Sequence, residues 1–146
     1  MPMIVIRKMQ AFARRSPGDR ALLLHAFALH AAIAVLYRAM RFGSLSRELA
    51  RCYPLRIARD TAPGRDAESR VAWAIATAAS FCPFGSTCLT TALATQCLLR
   101  RRGRDAVLRF GVQPGTRPGL VAHAWLEFSS GAPAGLPATS NYLALD

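Results

Sequence analysis

A thiol and an imidazole are the groups in this chain best suited to joint chemistry. Cys88 follows Ser86-Thr87, both N-cap residue types. After it come Leu89, Ala92, Leu93, Leu98 and Leu99, then Arg100, Arg101, Arg102 and Gly103. These are start and stop signals for an amphipathic helix within 86–104. A cysteine in the first turn faces unpaired N–H groups and the positive end of the helix dipole, which favour its thiolate. The competing reading is a small buried hydrophobe, a common fate of free cysteine. His123 lies in LVAHAWLEF, residues 120–128. Strand alternation puts His123, Trp125 and Glu127 on one face and Ala122, Ala124, Leu126 and Phe128 on the other. The small, apolar set is expected to face the core. The opposite face is unusual, with a large aromatic between two titratable groups. A strand histidine alone is more often structural, but a helix-start cysteine upstream in the same small chain changes its meaning.

A thiol nucleophile needs an imidazole within reach and a third group to orient the ring. The carboxylates after His123 are Glu127 and Asp146. Glu127 lies about 13 Å along the strand, too far to orient His123 directly. A neighbouring strand should therefore supply the group. Pairing LVAHAWLEF with NYLALD (141–146), around a turn near 132–135, places Asn141 through Asp146 opposite His123. Asp146 is then the carboxylate candidate and Asn141 a neutral one. A zinc site from Cys82, Cys88, Cys97 and His123 has the right ligand types. However, Cys88 and Cys97 sit about 180° apart on a helix, so they do not share a metal. Cys97 is expected in the core, and no cofactor is expected.

The elements that must position these residues follow from patterning. Residues 1–15 form a short basic lead-in. Ser16-Pro17 opens a long helix through about Phe42, with Gly43 as its stop. Its centre is uncharged from Ala21 to Tyr37. That is short for a bilayer, which wants about 20 apolar residues. A core helix or partner-binding face is expected, with peripheral membrane contact possible, and His25 and His30 read as structural. A short helix follows over 44–53, capped by Ser44 or Ser46, then a polar Pro/Gly-containing connection and a third helix over 66–81. Strands are expected over 105–112, 120–128 and 141–146. Helices first and an antiparallel sheet afterwards make an α+β domain.

At 146 residues, with 52% hydrophobic and 18% charged residues, the chain is a single folded domain rather than a disordered one. The net charge of +11 invites a nucleic-acid or membrane reading. Against nucleic acid, the basic residues are arginine except Lys8, they are scattered apart from Arg100–Arg104, and no aromatic-studded basic strand is present. An acidic peptide or protein partner remains. The start lacks the pattern of a secretory signal, so cysteines 52, 82, 88 and 97 read as cytoplasmic thiols.

The segment TCLTTALATQCLLRRRGRDAVLRFGV, followed by LVAHAWLEF, resembles the leader peptidases of lasso-peptide biosynthesis, which are transglutaminase-like cysteine peptidases. The resemblance covers at least residues 66–128 and rests on the paired motifs at this separation. It implies a transglutaminase-like, papain-like core over 66–146, with an N-terminal helical region over 1–65 packing on it as one compact domain. It implies Cys88 as nucleophile and His123 as general base and acid. The family's acidic residue is expected a dozen or so positions past the histidine. Here that stretch is GAPAGLP, without a carboxylate, so Asp146 or Asn141 takes the third role or the pair acts as a dyad. Oxyanion donors are expected from the Cys88 backbone N–H and the 82–87 loop. Trp125 either walls the cleft or packs beneath the sheet. The implied partners are a lasso precursor's leader, a separate leader-recognition protein and a downstream ATP-dependent macrolactam synthetase. The alternatives are a transglutaminase-like amidase or acyltransferase on another substrate, or a non-enzymatic basic helical protein that binds a membrane or partner.

Overall fold

Two helix starts in this chain follow hydroxyl side chains, Ser16 and Thr87. Ser16 Oγ accepts the Asp19 N–H at 3.2 Å, and Pro17 occupies the first turn, where its missing N–H costs nothing. The resulting helix α1 runs Pro17–Ala39. It is followed by α2 (Phe42–Cys52), α3 (Arg65–Phe81) and α4 (Cys88–Arg101), then β1 (Ala106–Pro114), β2 (Leu120–Phe128) and β3 (Leu143–Leu145). The computed structural model describes residues 15–56, 65–114, 119–128 and 143–145. Residues 1–14 of the expected lead-in, residues 57–64, 115–118 and 129–142, with Asn141 among them, and Asp146 lie outside the described residues.

Helix α4 is the axis of the fold. It packs against α1, α2 and α3 on one side and against β1 and β2 on the other. It is therefore not an amphipathic surface helix: Thr90 through Thr95 are buried in succession, as are Cys97, Leu98 and Leu99. Small residues make this possible, because alanine and threonine let neighbouring elements approach closely on every side. The buried hydroxyls are satisfied locally, as where Thr95 Oγ1 donates to Thr91 O at 2.8 Å. The contiguous core joins Ile33 of α1, Leu45 of α2, Ile75 of α3, Leu93 and Leu98 of α4, and Ala106 and Leu126 of the sheet.

Two expected boundaries shift. The first helix stops at Ala39, with Met40 extended, and Gly43 lies in the first turn of α2 instead of ending α1. Arg41, not Ser44 or Ser46, is the N-cap of α2, without a side-chain cap bond. The break turns Phe42 edge-on to Phe110 of β1, with ring centroids 5.6 Å apart, and sends Leu45 into the core. Burying these two side chains outweighs one continued helical turn.

The sheet is antiparallel in the order β2-β1-β3. β1 pairs with β2 from Ala106↔Phe128 to Pro114↔Leu120, and with β3 at Phe110↔Leu145, Gly111↔Ala144 and Val112↔Leu143. The expected pairing of 120–128 with the last strand is therefore wrong. β3 takes the far edge of β1, so β1 stands between it and β2. The stretch 129–142 is far longer than the two to five residues of a hairpin loop, so nothing in its length requires β2 and β3 to be neighbours.

Candidate active site

The α4 N-terminus is built by a reciprocal capping box. Thr87 Oγ1 accepts the Thr90 N–H at 3.2 Å, and Thr90 Oγ1 accepts the Thr87 N–H at 3.0 Å. Gly85, at φ +80°, makes the left-handed turn that brings the chain into this cap. Cys88 is thus the first helical residue, half-buried, at the positive end of the helix. Of the two N-cap residue types before Cys88, Thr87 is the one that caps. Arg38 of α1 stands nearby, its Nη2 3.9 Å from where a Cβ on Gly85 would sit.

His123 is half-buried near the start of β2, and its ring stacks on Trp125 with centroids 6.2 Å apart and planes 18° off parallel. Trp125 Nε1 donates to Glu127 Oε1 at 2.9 Å, and Arg109 Nε of β1 donates to Glu127 Oε2 at 3.3 Å. Glu127 is thus linked to His123 through Trp125, an indirect tie that distance along the strand alone did not suggest. The register sets these side chains beside Arg109 and Gly111, on the face opposite Leu108, Leu126 and Phe128. The latter face is the one that meets the helical core, as the alternation of small and apolar residues predicted.

The elements that carry Cys88 and His123 are tied together at one point and packed on each other. Gln96 Nε2 donates to Ala106 O at 2.8 Å, pinning the C-terminal half of α4 to the start of β1. From that point α4 runs back to Cys88 over about 12 Å at 1.5 Å per residue. β1 runs from Ala106 to Gly111, the partner of His123, over about 16 Å at 3.3 Å per residue. Across the sheet, His123, Gly111 and Ala144 form one row. Gly111, not a residue of the last strand, is therefore the direct neighbour of His123 on β1. Asp146 and Asn141 are not located, since both lie outside the described residues.

The other cysteines separate by burial. Cys97 is buried in the core, as predicted, and that burial pushes its thiol up to about 12. Cys52 is exposed and Cys82 half-buried. Among the described residues, no group of three or more His, Cys, Asp or Glu gathers to hold a metal ion.

The two α1 histidines differ. His25 Nε2 lies 3.0 Å from the Tyr53 hydroxyl. Burial, and then the Arg101 and Arg102 charges, hold its pKa below the usual value. His30 is fully buried, with Nε2 at 3.3 Å from Ser86 Oγ, in the turn that leads to Cys88. Sequence spacing did not reveal that link. The available signal was a histidine on an otherwise apolar helical stretch, a position that calls for a polar partner.

Searches of curated proteins and of solved structures find no match. A family model does: the one described as the transglutaminase-like superfamily matches residues 24–143. The match spans α1 from Leu24, the capped helix with Cys88 and the strand with His123. Members of this superfamily are generally enzymes, either cysteine peptidases or acyltransferases. With helices leading into a cysteine-bearing helix packed on an antiparallel sheet, the chain belongs to the transglutaminase-like superfamily.

Proposed function

We propose that the protein is a cysteine peptidase that removes the leader from a ribosomally made lasso-peptide precursor. Cys88 is the nucleophile and His123 the acid and base. The observation that carries the reading is the family match across both residues, with Cys88 on the first position of a capped helix. The lasso assignment rests further on the paired segments TCLTTALATQCLLRRRG and LVAHAWLEF.

In this mechanism the Cys88 thiolate attacks the scissile carbonyl, and the oxyanion is held by the Cys88 backbone N–H with a second donor from 82–87. Imidazolium at His123 protonates the departing amine. The same ring then takes a proton from water, which attacks the thioester and returns free Cys88. Trp125, stacked on the ring, keeps it from rotating away. Asp146 or Asn141 serves as the third group. The leader is presented by a separate recognition protein, and the freed core passes to an ATP-dependent macrolactam synthetase. The reaction belongs in the cytoplasm, where the thiol stays reduced.

The test is cleavage of a leader–core peptide with the recognition partner present, read by mass spectrometry. One-bond cleavage is expected from wild type and loss of cleavage from Cys88→Ala. Cleavage that survives Cys88→Ala sinks the mechanism, and the rate of Asp146→Asn decides the third role. An acyltransferase on another substrate would instead transfer the acyl group to an added amine. A non-enzymatic reading draws on the exposed Leu24, Phe27 and Val35 of α1, a helix long and apolar enough to cross a membrane. Binding to anionic vesicles without any thiol reactivity would favour it.

A further inference from the structure

We infer that His30 is a positioning residue for Cys88, locking α1 onto the turn and first helical residues that present the thiol. This deepens the peptidase reading and, for its effect on the thiol, rests on it. Three hydroxyl and imidazole groups from three parts of the chain meet here. His30 Nε2 of α1 lies 3.3 Å from Ser86 Oγ and 3.5 Å from Thr91 Oγ1 of α4, and the two hydroxyl oxygens are 3.0 Å apart. Ser86 immediately precedes the N-cap Thr87, and the Thr91 N–H donates to Thr87 O at 3.0 Å. The network therefore brackets the cap on both sides, and Cys88 lies inside the bracket.

The cost of the arrangement argues for a role. His30 is fully buried on the core face of α1, and its Nδ1 has no hydrogen-bond partner among the described residues. An apolar side chain of similar size would leave no polar atom stranded there, so stability alone favours one. What histidine adds is the tie to Ser86 and Thr91. Burial holds the pKa of His30 below its usual value, so the ring acts as a neutral partner to the hydroxyls. It puts no positive charge beside the positive end of α4. His30 thus shapes the site without exchanging a proton with substrate.

The experiment compares His30→Phe, His30→Gln and Ser86→Ala with wild type by amide hydrogen exchange, with site-mapped iodoacetamide alkylation alongside. Exchange at the Thr90 and Thr91 amides is expected to accelerate about tenfold in His30→Phe and Ser86→Ala, with the 95–101 peptide unchanged. His30→Gln, which keeps a hydrogen-bonding group at the same reach, is expected to stay within about twofold of wild type. Cys88 alkylation at pH 7 should slow about tenfold in the first two variants while Cys52 keeps its rate. If His30→Phe does not fold, Ser86→Ala and His30→Gln decide the matter. Unchanged exchange at Thr90 and Thr91, equal acceleration throughout α4, or failure of His30→Gln to restore protection overturns the inference. A wild-type Cys88 that alkylates no faster than Cys52 at pH 7 overturns the nucleophile reading instead, and the exchange result then stands on its own.

Discussion

The two ends of α4 are held by different chemistry. The Cys88 end is tied by neutral groups: the Thr87–Thr90 capping box, the Ser86 and Thr91 hydroxyls and the His30 ring. The other end is tied by glycine geometry and guanidinium groups. Gly103 adopts φ +74°, and the Arg104 N–H reaches back to Leu99 O at 3.0 Å, a Schellman closure. Arg102 Nη1 donates to Leu98 O at 3.3 Å, Arg104 pairs with Glu68 of α3, and the Arg104 guanidinium stacks on Phe128. The difference is one of purpose. Cations at a C-terminus complement the dipole and serve as anchors, whereas a carboxylate tie at the N-terminus would neutralise the field that favours a thiolate. Hydroxyls and a neutral imidazole give rigidity there without cancelling that field.

The comparison breaks most completely in the shared middle. Leu93 is fully buried, so Leu93→Ala should cost about 2–5 kcal/mol and loosen both ends together. A urea titration with probes at each end checks this, and separate transitions would contradict it. Gly103→Ala forces a side chain into the left-handed region at a cost of about 1–2 kcal/mol. It should leave the pH dependence of Cys88 alkylation unaltered, since only the anchoring end is touched. Thr87→Ala removes the cap for about 1 kcal/mol, yet it should move that pH dependence upward. Gly103→Ala and Thr87→Ala are thus expected to be opposite in what they spare. Glu68→Gln should be the mildest, under about 1 kcal/mol, with its effect fading in high salt because the Arg104 side chain is partly exposed. A salt-independent loss in thermal melts would show that the charged end does more than anchor.

Much of this was legible one element at a time. The LVAHAWLEF alternation identified both faces of β2, and Ser-Thr before Cys88 marked the start of α4. Cys97 could be placed in the core because an apolar helix face leaves a free thiol little else to do. What escaped depended on distant parts of the chain. The break at Met40–Arg41 exists because Phe42 and Leu45 find Phe110 and the core. The burial of α4 on all sides follows from what packs around it, which its own weak periodicity does not disclose. The indirect link from Glu127 to His123 needed Trp125 and Arg109 in place before it could be seen.

The sequence by itself determined the caps of α1 and α4, the strand alternation, the candidate nucleophile and imidazole, and the α+β order. All of these are local, set by dihedral preference, hydrogen-bonding side chains and hydrophobic period within a few residues. Only the tertiary structure decided that β3 lies on β1 and not on β2, and that His30 stands behind the turn to Cys88. Edge pairing and contacts between segments far apart in sequence depend on which arrangement buries the most apolar surface while satisfying every buried polar group. That balance belongs to the whole molecule and to no single stretch of it.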